Sequence, residues 1–115
     1  MRRGEIWWAD LGMHRPQEQT GRRPVVIWQS DTLNHVLQSV LVVLLTTNLD
    51  RARLAGTAMI ASTPDGPPTE SVALAFQLRA ISKKALTTRI RALTEIEISE
   101  LELATDEALG RIEPE

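Results

Sequence analysis

Hydrophobic positions in the first half of the chain come in short, dense, β-branched blocks, without helical spacing. "EIWWADL" (residues 5–11), "PVVIWQ" (24–29) and "SVLVVLL" (39–45) predict three strands. The second and third are nearly continuous in hydrophobicity, the pattern of strands buried on both faces. Between the first two lies "GMHRPQEQTGR" (12–22), polar and rich in turn residues. A loop of that length is long for a hairpin, and long polar loops in compact domains often carry function. "DTLNHV" (31–36) has room for one helical turn, with Asp31 as its expected cap.

Further on, "TAMIA" (57–61) and "SVALAFQLRAI" (71–81) predict strands separated by the breaker-rich "STPDGPPTE" (62–70). The longer of the two can bend into two pairing segments, and "TRIRAL" (88–93) predicts a last short strand. "TEIE" then has the capping-box pattern, with Thr94 as cap and Glu97 reaching back to it. Ile98, Leu101, Ala104 or Thr105, and Ala108 follow at helical spacing, and Gly110 marks the stop. The expected fold is mainly β with a C-terminal helix: a half-open antiparallel barrel closed or flanked by that helix. At 115 residues, a single domain spanning 1–115 is expected.

Charge changes the picture more than composition does. The net charge of -2 hides an asymmetry. From Thr94 onward eight acids face Arg111 alone, net -7, so the first 93 residues carry twelve basic and seven acidic side chains, net +5. A basic body can present a positive groove even in an acidic protein. The acidic stretch itself reads as a solvated helix face. With no cysteine, disulfides and thiolate metal sites are excluded. The charged N-terminus lacks the apolar core of a signal peptide, and "VLVVLL" is too short to span a bilayer. A soluble, cytoplasmic protein without membrane attachment is expected.

"TGRRPVVIWQSD" (20–31) sets two fixed positive charges, Arg22 and Arg23, at the mouth of an apolar strand. The planar fork of arginine suits phosphate or carboxylate, yet charged strand ends are also common as plain solvated termini. These residues alone leave both readings open. Taken in order, "RGEIWWADL", "EQTGRRPVVIWQSDTLN", "VLVVLLTT", "ESVALAFQLRAI" and "LTEIEISELELATDEALG" resemble the blocks of MazF/PemK-type toxins over nearly the whole chain. That resemblance implies a small SH3-like antiparallel barrel of the MazF/CcdB toxin type. It further implies a homodimeric, metal-independent endoribonuclease that cuts single-stranded RNA at short sequences and is inhibited by a cognate antitoxin. No cofactor is implied.

Carried onto this chain, the resemblance makes Arg23, before Pro24, the catalytic arginine and Thr46, at the end of the third strand, the catalytic threonine. Glu18 corresponds to the acidic residue of the first long loop, followed by Gln19. Ser71 and Gln77 correspond to substrate-facing positions, and Arg22 is a phosphate-steering candidate. Three positions depart from the family: Pro16 in the long loop, Glu70 before Ser71, and Phe76 before Gln77, where an acid is common. They bear on which bases are read.

The residue types suit the chemistry. RNA carries its own nucleophile, the 2′-hydroxyl, so cleavage needs in-line positioning, charge stabilisation and proton transfers. Arg23 can hold phosphoryl oxygens bidentately, Thr46 offers a hydroxyl to orient them, and Glu18 is the nearest conventional base. The products implied are a 2′,3′-cyclic phosphate and a 5′-hydroxyl. His14 and His35 read as loop histidines rather than an acid–base or zinc pair. Trp7, Trp8 and Trp28 can stack on bases but fit core or dimer-interface positions better. Asp31 and Asn34 are explained by a cap and a turn, and Lys83-Lys84 by a solvated corner. Two other functions compete: a non-catalytic toxin on the same barrel that poisons DNA gyrase, and an SH3-like peptide-binding module. One phenylalanine, three tryptophans and no tyrosine make the aromatic groove of the latter hard to build.

Overall fold

The structure, a computed structural model, describes residues 1–12 and 21–114. Six antiparallel strands form one curled sheet: β1 (Glu5–Asp10), β2 (Arg22–Ile27), β3 (Ser39–Thr46), β4 (Thr57–Ile60), β5 (Ser71–Ser82) and β6 (Leu86–Ala92). Their spatial order is β4-β5-β3-β2-β1-β6. A short helix α1 (Asp31–Val36) joins β2 to β3, and α2 (Glu95–Ala108) closes the chain. This is the half-barrel with a C-terminal helix that the hydrophobic pattern predicts. Among the described residues, no helix is long and apolar enough to cross a membrane.

The continuous hydrophobicity of β2 and β3 has a direct structural cause. Side chains alternate across a strand, and both faces of this sheet are covered. Ile6, Val26, Trp28, Val43 and Leu45 pack with Ala73, Ala75 and the α2 residues Leu101 and Ala104. On the other face Ala9, Val25, Ile27, Val42 and Leu44 form a second cluster, where Trp7, Ile81 and Leu86 join them. Val25, Val26 and Ile27 are all fully buried, each pointing to the face opposite its neighbour. Between Val42 and Leu44 the β3–β5 register slips, from Val42↔Arg79 to Leu44↔Leu74, and β5 bends there as its length suggests.

Three local expectations are corrected. The cap of α1 is Ser30, whose Oγ accepts from the Leu33 amide at 3.4 Å, and not Asp31. Asp31 instead accepts from the Arg3 amide at 2.8 Å and from Asn34 at 3.1 Å, tying α1 to the N-terminal segment. Lys83 is not merely solvated, because its Nζ donates to the Asn34 carbonyl. Finally, β2 begins at Arg22 and not Pro24, since the β1 ladder runs on to Asp10↔Arg22. Both arginines of the strand mouth therefore belong to the sheet.

The capping box at α2 forms as expected, with Thr94 Oγ1 accepting from the Glu97 amide and Glu97 accepting from the Thr94 amide. Glu97 does more than cap. Its carboxylate, nearly buried, also receives Arg91 Nη1 at 2.7 Å and Nη2 at 3.0 Å, and the Ala61 amide at 3.0 Å. The remaining donors of Arg91 go to the carbonyls of Gly66, Ala61 and Ala92. Burial pushes the Glu97 carboxyl up, but these hydrogen bonds outweigh it and hold it at about 2. One ion pair thus fastens α2, β6 and the 61–70 loop together.

Candidate active site

Arg23 and Thr46 stand on neighbouring strands. The β2–β3 ladder ends at Val25↔Leu44, and its register, continued by two residues along both strands, sets Arg23 opposite Thr46. Residues two apart share a face, so both side chains extend the row of Val25 and Leu44 to the rim of the sheet. Each is half-buried. Across β1 the partner of Arg23 is Ala9, whose small side chain leaves the guanidinium room. Thr46 Oγ1 accepts from the Asn48 amide at 3.2 Å, which fixes the rotamer and leaves the hydroxyl proton to donate.

Arg22 points the other way. Adjacent strand residues face opposite sides, and the Arg22 guanidinium lies over the Trp8 ring, 4.3 Å from its centroid. The two arginines of the strand mouth thus divide between the two sides of the sheet, one to each face.

The loop between β1 and β2 is tied at its base. The Leu11 amide donates to the Gly21 carbonyl at 2.9 Å, and the Gly21 amide to the Gly12 carbonyl at 2.8 Å. Gly21 has φ +75, a left-handed conformation that other residues rarely adopt, so this turn into β2 needs glycine. Glu18 and Gln19, together with His14 and Pro16, lie outside the described residues.

The other candidates are not brought to this rim. Ser71 is 1 % exposed, and its Oγ donates to the Thr69 carbonyl at 3.2 Å. Thr46 pairs with Val72, so Ser71 faces the opposite side of the sheet, where it secures the strand entry. Gln77 sits in the bend of β5 at the level of Val43, three residues from Thr46 along β3 and so about 10 Å away. Trp28 and Trp7 pack into the core, as one of the two expected placements has it: Trp28 Nε1 donates to Thr105 Oγ1 at 2.9 Å, and Trp7, partly buried, packs on the second cluster. His35 is exposed on α1. Among the described residues, no group of three or more His, Cys, Asp or Glu is arranged to hold a metal ion.

Two features escape the sequence reading. A 3-10 turn, Leu49–Arg53, begins three residues after Thr46 and leaves Arg51 and Arg53 exposed. Its signal was available in "TTNLDRAR", where Asn48 caps the turn by accepting from the Asp50 amide. The second is Arg91, which in a strand of alternating residues carries no mark that distinguishes it from Arg89.

Comparison with known proteins follows the same lines. Residues 2–109 match the family model of the PemK-like, MazF-like toxins of type II toxin–antitoxin systems. A curated relative, the endoribonuclease MazF of Staphylococcus epidermidis, is 34% identical over 110 residues, covering 96% of this chain and 92% of the relative. Among solved structures, an endoribonuclease in complex with its cognate antitoxin from a mycobacterial species superposes with a TM-score of 0.78. It is 24% identical, and 99% of each chain is covered. The Mycobacterium tuberculosis toxin MazF-mt6 gives a TM-score of 0.76 at 23% identity, covering 92% of this chain and 96% of that one.

Proposed function

This chain belongs to the PemK-like, MazF-like toxins, and we propose that it is a metal-independent endoribonuclease that cuts single-stranded RNA at short sequences in the cytoplasm. The observation that carries the reading is the β2–β3 ladder, whose register from Ile27↔Val42 to Val25↔Leu44, continued by two residues, supports a meeting of Arg23 and Thr46 at one rim of the sheet. There Arg23 holds the non-bridging oxygens of the scissile phosphate and stabilises the charge that grows on them. Thr46 donates its hydroxyl proton to the same phosphoryl group and orients it. The 2′-hydroxyl gives up its proton as it attacks the phosphorus, and the 5′-oxygen leaves and takes up a proton from protonated Glu18 or from water, giving a 2′,3′-cyclic phosphate and a 5′-hydroxyl. Glu18 is the proposed proton acceptor, with Gln19 beside it as a base contact. Arg22 steers the backbone and Gln77 reads bases further along the sheet. For Ser71 the burial of its side chain favours a supporting role behind that surface.

A cognate antitoxin is the proposed inhibitor, in line with the related mycobacterial endoribonuclease that binds one. An acidic, initially disordered segment suits the basic body of this chain and would fold as it binds. A homodimer is supported by exposed Leu33, Val36, Leu37 and Leu41, apolar surface that a second copy would cover.

The test is to incubate the purified protein with single-stranded RNA in excess chelator and analyse the new termini. Cyclic-phosphate and 5′-hydroxyl ends are expected, with duplex RNA resistant because its 2′-hydroxyl cannot swing in line. Activity that vanishes in chelator and returns with magnesium would refute the mechanism. Inhibition of DNA gyrase without any cutting of RNA would refute the enzyme.

A further inference from the structure

The breaker-rich 62–70 segment has no part in the reaction above, yet it is built with care. Thr63 Oγ1 and the Gly66 carbonyl are 2.8 Å apart, and the Gly66 amide donates to the Thr63 carbonyl at 2.8 Å. Arg91 Nε holds the same Gly66 carbonyl at 3.0 Å, and Arg91 Nη2 holds Ala61 at 2.9 Å. A Cβ at Gly66 would lie 2.9 Å from Ile90 Cγ2, so only glycine lets the loop settle on β6. The outcome is a preformed cleft of about 230 Å³ between residues 63–68, Ile90 and Trp8. That is below the roughly 300–1,000 Å³ of sites for drug-sized ligands and suits one planar group.

Resting on the ribonuclease reading, we infer that this cleft receives one unstacked base of the RNA, next to the scissile phosphate, against Trp8. Three observations converge. Arg22 and Arg23 are consecutive, and so about 3.8 Å apart at their Cα atoms. Their side chains nevertheless lie on opposite faces, Arg23 in the row of Val25 and Arg22 over Trp8. A strand whose phosphate sits on Arg23 therefore has only the rim to cross before its next base meets Trp8. The Arg22 cation holds the tryptophan from one side while the ring borders the cleft, an arrangement that suits an electron-rich base and its phosphate. Asp65 in the cleft wall can accept from an exocyclic amine, giving the site a means to prefer one base over another. Trp8 is then a binding residue, and Arg91 a positioning residue that acts through the loop.

The experiment walks a single abasic nucleotide along an otherwise constant RNA substrate. With the wild type, one position flanking the cut should raise KM at least about fivefold, the effect of losing one stacked base, with kcat nearly unchanged. Trp8→Leu should raise KM on intact RNA by a similar factor and lose the distinction between intact and abasic at that position alone, whereas Trp8→Phe should keep most of it. Should Trp8→Leu fail to fold, 4-thiouridine at the same position in a wild-type complex should cross-link to Trp8 or to residues 63–68. Cross-links solely elsewhere, or a Trp8→Leu enzyme with unchanged KM and base dependence, overturn the inference while leaving the ribonuclease intact. A variant altered only in its inhibition by the antitoxin also overturns it, making the cleft a protein-binding surface. A wild type that cuts no RNA at all fails at the first step and takes the cleft assignment with it.

Discussion

Two arginines on neighbouring parts of the sheet are used in opposite ways. Arg91 is 9 % exposed and spends its donors inward, on both oxygens of Glu97 and on three carbonyls. Arg23 lies at the open rim, and among the described residues its guanidinium has neither a hydrogen bond nor an acidic partner. A guanidinium has the same five donors in both places. Where the protein saturates them, the residue holds the fold together; where no described residue takes them, they suit a group from outside. The contrast separates stability from chemistry, and each side of it can be tested by itself.

The clamp should give the largest effect. Glu97→Gln keeps the shape but leaves a buried guanidinium without its counter-charge, and losing one partner of such a pair costs about 3–5 kcal/mol. Urea unfolding should register that loss, while the single-turnover rate of the molecules still folded stays near wild type. A Glu97→Gln protein of normal stability would mean that the pair is no clamp.

Acid sharpens the same side. Because the folded carboxyl is held at about 2, below its ordinary 4.5, the stability it contributes is present above pH 4.5. It should be lost as pH falls from about 4.5 toward 2. The stability gap between wild type and Glu97→Gln should therefore close over that window, as the wild-type carboxyl takes up its own proton. A gap that stays constant down to pH 2 would place the stabilisation in packing and not in charge.

How much of this contrast could be read from the chain follows from the range of the interactions. The strands of β2 and β3 and the α2 capping box leave local marks, dense β-branched runs and a Thr94 to Glu97 spacing, whereas Arg23 and Thr46 are singled out only by the family resemblance. The double role of Glu97 leaves no such mark, because its partner Arg91 and the loop it secures are joined only by the fold. Ser71 shows the same limit in reverse. Its motif position suggested a substrate contact, but a one-residue alternation turns it toward the core, and register is a property of the partner strands β3 and β4. The sequence places Trp8 with Trp7 and Trp28 at core or dimer-interface positions, because no local sign marks one of them as bordering a cleft.

On the chemical side, Arg23→Ala should lower the single-turnover cleavage rate by about 10²–10³, the usual loss for one preorganised donor. Its unfolding midpoint should stay close to wild type, since a rim guanidinium contributes little packing. Arg23→Lys should rescue poorly, because an ammonium keeps the charge and loses the bidentate fork. Normal cleavage by Arg23→Ala would end the comparison, leaving two arginines that both merely stabilise.

The smallest effect separates Arg23 from its own neighbour, and it checks the alignment on which the site depends. Arg22 faces the other side of the sheet, over Trp8, so removing it touches neither the phosphate oxygens on Arg23 nor the Thr46 hydroxyl. What Arg22→Ala should lose is one backbone charge and some of the order of the Trp8 ring. Losing one phosphate contact to single-stranded RNA should flatten the slope of log affinity against log salt by about 0.7, with weaker binding at low salt and little change in the chemical step. Saturating enzyme in single-turnover reactions isolates that step from binding. If instead Arg22→Ala were inactive at saturation and Arg23→Ala merely salt-sensitive, the reacting phosphate would lie on the Trp8 face. Thr46, on the far side of the strand, could then take no part in cleavage.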